Sequence, residues 1–600
     1  MKPSRALIAL LCLLLLCRNA AAQAAPTFAR NVAPLLYRYC ASCHSPNGSA
    51  RFSLLTYQDA KKHAAQIAAS TANRSMPPWL PEPGIGDFAD ERRLTDAEVA
   101  LLANWAGHGA PQGNPAETPA APCFTQGWQL GTPDMVLKAA KPFTLPASGP
   151  DVFWNFIFSP SLSATRYVRA IEIQPGEDGM VHHANLLIDR THSARRLEAQ
   201  PGAGFPGMEL RLAHAPLDFP GHFLFWKPGS VPWVEPDGLS WRLDPGNDLV
   251  LNAHLMAMST ASGSAMKVQP SIALYFTNKP PDRFPLLIQM ENDGAIDIPA
   301  GDSDFLVRDD FRLPRDADVL AVYPHAHELG HLLEGYATLP DGHRKWLIRI
   351  PDWNPKWQAV YHYREPVFLP EGSVISMRYH YDNSAANPRN PHHPPVPVRS
   401  GDQSSDEMGH LWLQLLPRGT GDHRRELEEA SVRHRLEKYP QDYSAHVMLG
   451  ALMLGRLDPT GAVTELEAAV RLAPRQSEPH NWLGVALTAV GRAREGMDEF
   501  RVALEIDPGF NDARYNLAKA QAKAGLLDQA LQNFSQAAAA SPESAQIHND
   551  FGEFLLRSGR TSEALEQFNR ALAIDPTDET ARRNQDLARQ NLAAKSVSGH

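Results

Sequence analysis

Asp318-Val-Leu-Ala-Val-Tyr-Pro-His325-Ala-His327-Glu-Leu-Gly330 is the stretch on which the reading of this chain turns. Its first six residues are apolar and β-branched enough for a buried strand. His325 and His327 close the run two residues apart, so on extended backbone both rings leave the same face. Two imidazoles sharing one face of a rigid strand are half of a metal site. His327-Glu-Leu-Gly-His331 also fits H-E-x-x-H, the helical zinc-protease pattern. That pattern needs a helix carrying both histidines, and Gly330, Gly335, Pro324 and the strand periodicity oppose one.

Outward from this stretch, histidines recur on strand-like segments. Val181-His182-His183-Ala-Asn-Leu-Leu-Ile-Asp follows the apolar Tyr167-Val-Arg-Ala-Ile-Glu-Ile, and Asp248-Leu-Val-Leu-Asn-Ala-His254-Leu carries one more. Downstream lie Tyr381-Asp-Asn383-Ser and Asp406-Glu407-Met408. Taken singly, a strand histidine is a satisfied core residue and a methionine is packing. A histidine pair, a third histidine, a His-x-His and a methionine, in that order, resemble the ascorbate-dependent type II copper monooxygenases, relatives of the peptidylglycine and dopamine β-monooxygenases. The resemblance covers about residues 123–418.

That resemblance implies two copper ions. His182, His183 and His254 would hold an electron-transferring copper, and His325, His327 and Met408 a copper that activates O2. Imidazole suits copper in either oxidation state, and thioether favours Cu(I). It also implies two all-β jelly-roll sandwiches, expected at 123–290 and 291–418, each carrying one copper towards a cleft between them. Short apolar runs separated by Pro/Gly/Asp turns agree with an all-β sandwich class. In the peptide-amidating relatives an arginine two residues before the His-x-His grips the substrate carboxylate. Tyr323 stands there in this chain, and His410 and Trp412 replace that family's asparagine and tyrosine. A peptide carboxylate is therefore not the expected substrate; Tyr323 and Trp412 point to an apolar or aromatic small molecule, or simply fill the core.

The amino terminus reads as an export signal over residues 1–22: Lys2 and Arg5 precede the apolar run Ala6–Cys17, with cleavage expected after Ala22. No later run is long and apolar enough for a membrane span, so a periplasmic or secreted protein is expected. Net charge −10 and pI near 6.2 give no sign of nucleic-acid binding. Cys40-Ala-Ser-Cys43-His44 is C-x-x-C-H, the attachment sequence of haem c; a redox dithiol is the alternative. His44 would be the proximal ligand. Arg74-Ser-Met76-Pro-Pro-Trp79 resembles the methionine loop of class I cytochromes c, so Met76 is expected on the distal side, with His63 the alternative. Residues 26–110 read as a small all-α cytochrome c domain. Helices are expected over Asn31–Tyr39 and Leu94–Trp105, the latter with a Thr-x-x-Glu capping box. Residues 111–122, with four prolines, read as a semi-rigid linker, and Cys123 as an unpaired thiol.

Beyond Leu416 the composition turns to Ala, Leu, Glu and Arg. Pro474, Pro508, Pro542 and Pro576 recur every 34 residues, as do Gly450, Gly484 and Gly552, with Ala518 in the remaining register. Leu466, Phe500, Phe534 and Phe568 keep the same period. This is the tetratricopeptide repeat, four units within 421–592 that include flanking helices. The whole reads as an exported haem- and copper-containing monooxygenase taking electrons from an external donor through the haem. Its repeats would recruit a protein partner and be dispensable for the metal sites. The alternative is a redox-active copper- and haem-binding protein that recruits a partner without turnover.

Overall fold

The computed structural model describes residues 25–46, 50, 52–122, 128–149, 151–176, 181–208, 219–256 and 265–598. The expected signal segment and Cys123 lie outside them.

An N-terminal helical unit comes first. Phe28–Val32 forms a π-helical turn leading into the α-helix Ala33–Tyr39, where Pro34 sits harmlessly in the first turn. Helices Tyr57–Lys62, Ala64–Ala72 and Asp96–Gly107 follow. Thr95 caps the last: its Oγ1 accepts from Glu98 N at 3.2 Å, and Glu98 Oε2 accepts from Thr95 N at 2.7 Å. Leu36, Leu102 and Trp105 meet in a shared core. The proline-rich segment is not a free spacer at its start. Pro111 O accepts from Phe28 N and Trp105 Nε1, and Gln112 O accepts from Ala29 N, so residues 111–112 belong to this unit.

The middle of the chain is β-rich. In the first sandwich, β1 (Val152–Phe158), β2 (Val181–Asp189) and β3 (Asp248–Leu255) lie in the order β1-β3-β2, flanked by Phe205–Pro206 and Phe225–Trp226. β3 is buried along its whole length, with the polar Asp248, Asn252 and His254 enclosed among its apolar residues. A four-stranded sheet containing Arg166–Gln174 and Ser271–Thr277 shares its core. The second sandwich carries β4 (Ala317–Ala326) between Tyr361–Leu369 and β5 (Gly409–Pro417). Its other layer, which includes Gly330–Thr338 and Val374–Tyr381, closes over the largest apolar cluster.

Residues Arg424–Lys438 form a leading helix, and four helical hairpins follow between Tyr443 and Ile574 before the closing helix Glu579–Ser598. The 34-residue period has a steric basis. A Cβ at Gly450 would meet Leu466 at 2.6 Å, one at Gly484 would meet Phe500 at 2.6 Å, and one at Gly552 would meet Phe568 at 2.6 Å. Each small residue lets the partner helix lay its large residue directly on the backbone. No helix among the described residues is long and apolar enough to cross a membrane.

Candidate functional site

β2 and β3 pair antiparallel with His183 opposite His254. A register shift between Val181 and His183 lets His182 join them. The three rings stand 5.0–5.3 Å apart by centroid, and one ligand atom from each lies within 4.8 Å of the others. His254 Nε2 is engaged by Asp151 Oδ2 at 3.0 Å, so the proton sits on Nε2 and Nδ1 carries the lone pair. That Nδ1 is buried and has no hydrogen-bond partner. His182 Nδ1 and His183 Nδ1 face each other at 3.1 Å. Nδ1 lone pairs converging around an unsatisfied buried nitrogen fit a metal ion. Burial, reinforced by His254, holds His182 down to about 4, and burial holds His183 well below the ordinary histidine range. Neutral imidazoles are what a metal needs.

His325 ends β4, and His327 lies just beyond it, with ring centroids 5.3 Å apart. The strand that opens at Gly330 continues the sheet architecture, so H-E-x-x-H is not helical here and the zinc-protease reading falls. His325 Nδ1 donates to Gln358 Oε1 at 2.7 Å, and His327 Nδ1 to Asp406 O at 3.0 Å. Both Nε2 atoms are thereby left with the lone pair. Met408 is buried at the start of β5, and Tyr381 Oη donates to its carbonyl at 2.7 Å. Glu407 shapes this corner: its carboxylate accepts from the backbone N–H groups of His327, Leu329 and Met408. Burial nevertheless pushes its carboxyl up to about 8.

β4 and β5 pair with Tyr323 opposite Trp412 and His325 opposite His410. Period two then puts all four side chains on one face of the ladder. His410 lies 5.9 Å from His325 by ring centroid and is held by Asp293 Oδ2 at 2.8 Å. Phe225 of the first sandwich touches both faces, 5.9 Å from His183 and 4.9 Å from Tyr323. Gln358, 2 % exposed, lies between the two clusters. Sequence reading found the histidines, quoted Glu407 without a role and set His410 only in the place of a family asparagine, and did not single out Gln358 or Asp151. Asp151 is 103 residues from His254 and Gln358 is 175 from His183. Partners that distant leave no local pattern to read.

In the helical unit, His44 N donates to Cys40 O at 2.8 Å, so Cys40, Cys43 and His44 share one turn. His44 Nδ1 donates to Phe52 O at 3.1 Å and leaves Nε2 available, the arrangement an axial imidazole needs. Both cysteines are free thiols, and burial pushes Cys40 up to about 12. These residues fit a covalently attached haem. Phe52 stacks on His63 at 3.9 Å and lies 4.6 Å from His44, which places His63 on the same side of the unit as His44. Met76 follows helix Ala64–Ala72, half-buried, with its N–H on Ser70 O. Cys43 Sγ lies 4.0 Å from Gly229 O of the first sandwich, beside a cavity of about 140 Å³ that Trp79, Phe225, Lys227, Trp357 and Tyr361 help to line.

The tetratricopeptide-repeat family profile matches residues 447–509 and 515–579. The C-terminal region is therefore a tetratricopeptide-repeat array, a module of protein–protein interaction. No curated protein sequence matches the chain. Among solved structures, it is similar to YrrB, described as a TPR protein with an unusual peptide-binding site (21 % identity, 27 % of this chain and 84 % of that one, TM-score 0.24). It is also similar to a thermophilic TPR protein of Thermus thermophilus (22 % identity, 28 % of this chain and 93 % of that one, TM-score 0.26).

Proposed function

We propose that this protein is an exported monooxygenase that inserts one atom of O2 into a C–H bond of an apolar or aromatic small molecule. It would use two copper ions and take electrons from an external donor through a c-type haem. The observation that carries the reading is the convergence of His182, His183 and His254 around a buried, unpartnered Nδ1. His325, His327 and Met408 would hold the second copper. When bound, the metals supply one-electron storage and oxygen activation.

The chain's own residues prepare the chemistry. Asp151 holds the proton on His254 Nε2, and Gln358 and Asp406 hold those on His325 and His327 Nδ1. Three of the candidate nitrogens, on His254, His325 and His327, are thereby oriented before a metal arrives. The half-buried Tyr323 beside His325, with Trp412 across the ladder, offers a largely apolar wall to substrate and helps exclude water from the reacting bond. Cys40, Cys43 and His44 would hold the haem. The repeats would recruit a protein partner.

Metal analysis of the exported protein, joined to product analysis under 18O2, tests this. Two coppers per chain and a single 18O atom in product are expected. One zinc, with no O2-dependent product, would overturn the assignment.

A further inference from the structure

His325 and His410 face each other on one rung of the β4–β5 ladder, and Ala326 pairs with Gly409 on the next. Carried one rung further, the same register sets His327 opposite Met408. Side chains two residues apart on a strand share a face at about 7 Å, and directly opposed ones lie about 5 Å apart. His325, His327 and Met408 thus occupy three corners of a small rectangle, and His410 is the fourth. The His325 and His410 rings are 5.9 Å apart by centroid, against 5.3 Å for His325 and His327.

The fourth corner is built as a ligand is built. Asp293 Oδ2 lies 2.8 Å from His410 Nε2, and a carboxylate only accepts, so the neutral ring carries its proton on Nε2 and its lone pair on Nδ1. No described residue bonds that Nδ1. Asp151 holds His254 of the first cluster in the same way. Asp293 is fixed in turn: its Oδ1 accepts from Gly409 N at 3.1 Å, and its own N–H donates to Glu291 Oε2 at 3.0 Å. A carboxylate behind an imidazole is the usual outer partner of a metal-bound histidine. The backbone of this edge is held as well. Tyr379 Oη donates to His410 O at 2.9 Å and Tyr381 Oη to Met408 O at 2.7 Å, so two buried tyrosines fix both corner residues.

We propose that His410 is a third imidazole ligand of the second metal centre, binding through Nδ1 beside His325, His327 and Met408. The proposal rests on the two-copper reading, and it places a nitrogen donor where the resembled family has an asparagine. Cu(II) favours nitrogen and oxygen donors, whereas thioether favours Cu(I). His410 therefore strengthens the hold on the oxidised ion, and Met408 the hold on the reduced one.

The test empties the first site with His182→Ala/His183→Ala, loads the full chain with Cu(II), and counts the coordinated imidazoles by pulsed EPR. Three are expected in this parent chain, and two once His410→Asn is added. Competition with chelators should show His410→Asn weakening Cu(II) by more than about 10-fold, and Cu(I), which keeps Met408, by less. Two imidazoles in the parent, or unchanged Cu(II) affinity in His410→Asn, overturn the ligand role and leave the two-copper reading standing. No Cu(II) bound by the folded parent overturns both. If His410→Asn does not fold, the imidazole count in the parent decides alone. If the parent itself does not fold, the wild-type chain is counted instead, with three imidazoles expected at each site and two at the second overturning the role.

Discussion

Asp151 decides which nitrogen of His254 faces the other two histidines, and a single hydrogen bond of 3.0 Å does it. Outer partners of this kind commonly tune metal affinity by about 10–100-fold. Asp151→Ala is therefore expected to weaken copper at the first site by about that factor while sparing the second. Competition with a Cu(I) chelator, site by site, would measure it, and equal loss at both sites would contradict the assignment. Met408→Ala should do the reverse, weakening the second site chiefly as Cu(I) and abolishing oxygen insertion, because thioether is the soft ligand of the set. At this scale the sequence was readable where chemistry is carried by rare residue types at short spacing. His182-His183 and His325-x-His327 are visible to anyone counting. Asp151 and Gln358 are common residues whose meaning comes only from where the fold delivers them.

Elements were legible in proportion to their periodicity. The repeats could be placed to the residue because sterics recur every 34 positions. The β units showed strands but not register, and it is register that puts His410 beside His325. Gly484 gives a direct test of the steric argument. A Cβ there would meet Phe500 at 2.6 Å and Gly496 O at 2.9 Å, so Gly484→Ala should cost about 1–3 kcal/mol in denaturant unfolding of the repeats. His480 gives a pH test. Its Nδ1 donates to Glu499 Oε2 at 2.6 Å and its Nε2 to Pro474 O at 3.1 Å, and two acceptors require the doubly protonated ring. The Glu499 hydrogen bond raises its pKa against the opposing effect of burial. The stabilisation is thus full below about pH 6.5, the unfolded value, and is lost as pH rises through the higher folded value. His480→Gln should lose about 1–2 kcal/mol in mildly acidic buffer and progressively less in alkaline buffer. Hydrogen exchange at helix Ser477–Ala489, followed across pH, would check the trend. A deficit that grows with pH would reverse the sign and sink the argument.

At the scale of the whole molecule, sequence suggested beads on a string, and the structure is bonded throughout. The helical unit is not merely tethered: Phe88 is buried to 2 % in the core of the second sandwich, and Ala89 N and Asp87 O pair with His362 O and Arg364 N. The leading helix of the repeats is held more tightly still. Lys438 Nζ and His434 Nε2 reach Asp309 at 2.8 and 2.7 Å, while Arg435 Nη1 and Tyr439 Oη reach Glu291 at 2.9 and 2.7 Å. Glu291 and Asp309 are 4 % and 5 % exposed, and these partners offset much of the cost of burying them. Glu291 Oε2 also accepts from Asp293 N at 3.0 Å, and Asp293 in turn holds His410 Nε2 and Gly409 N, next to Met408. The expectation that the repeats are dispensable therefore needs dividing. A chain ending after Arg418 strands two buried carboxylates, each costing about 3–5 kcal/mol, and loosens the loop behind Met408. It should melt lower and lose second-site copper before first-site copper. A chain ending after Asp442 keeps the leading helix and Tyr439, drops all four hairpins, and should retain both metals, because repeat units contact mainly their neighbours. Thermal melts and copper stoichiometry on the two truncations separate these outcomes. Equal behaviour of the pair would mean that the ionic cluster between Glu291, Asp309 and the leading helix does not support the second site.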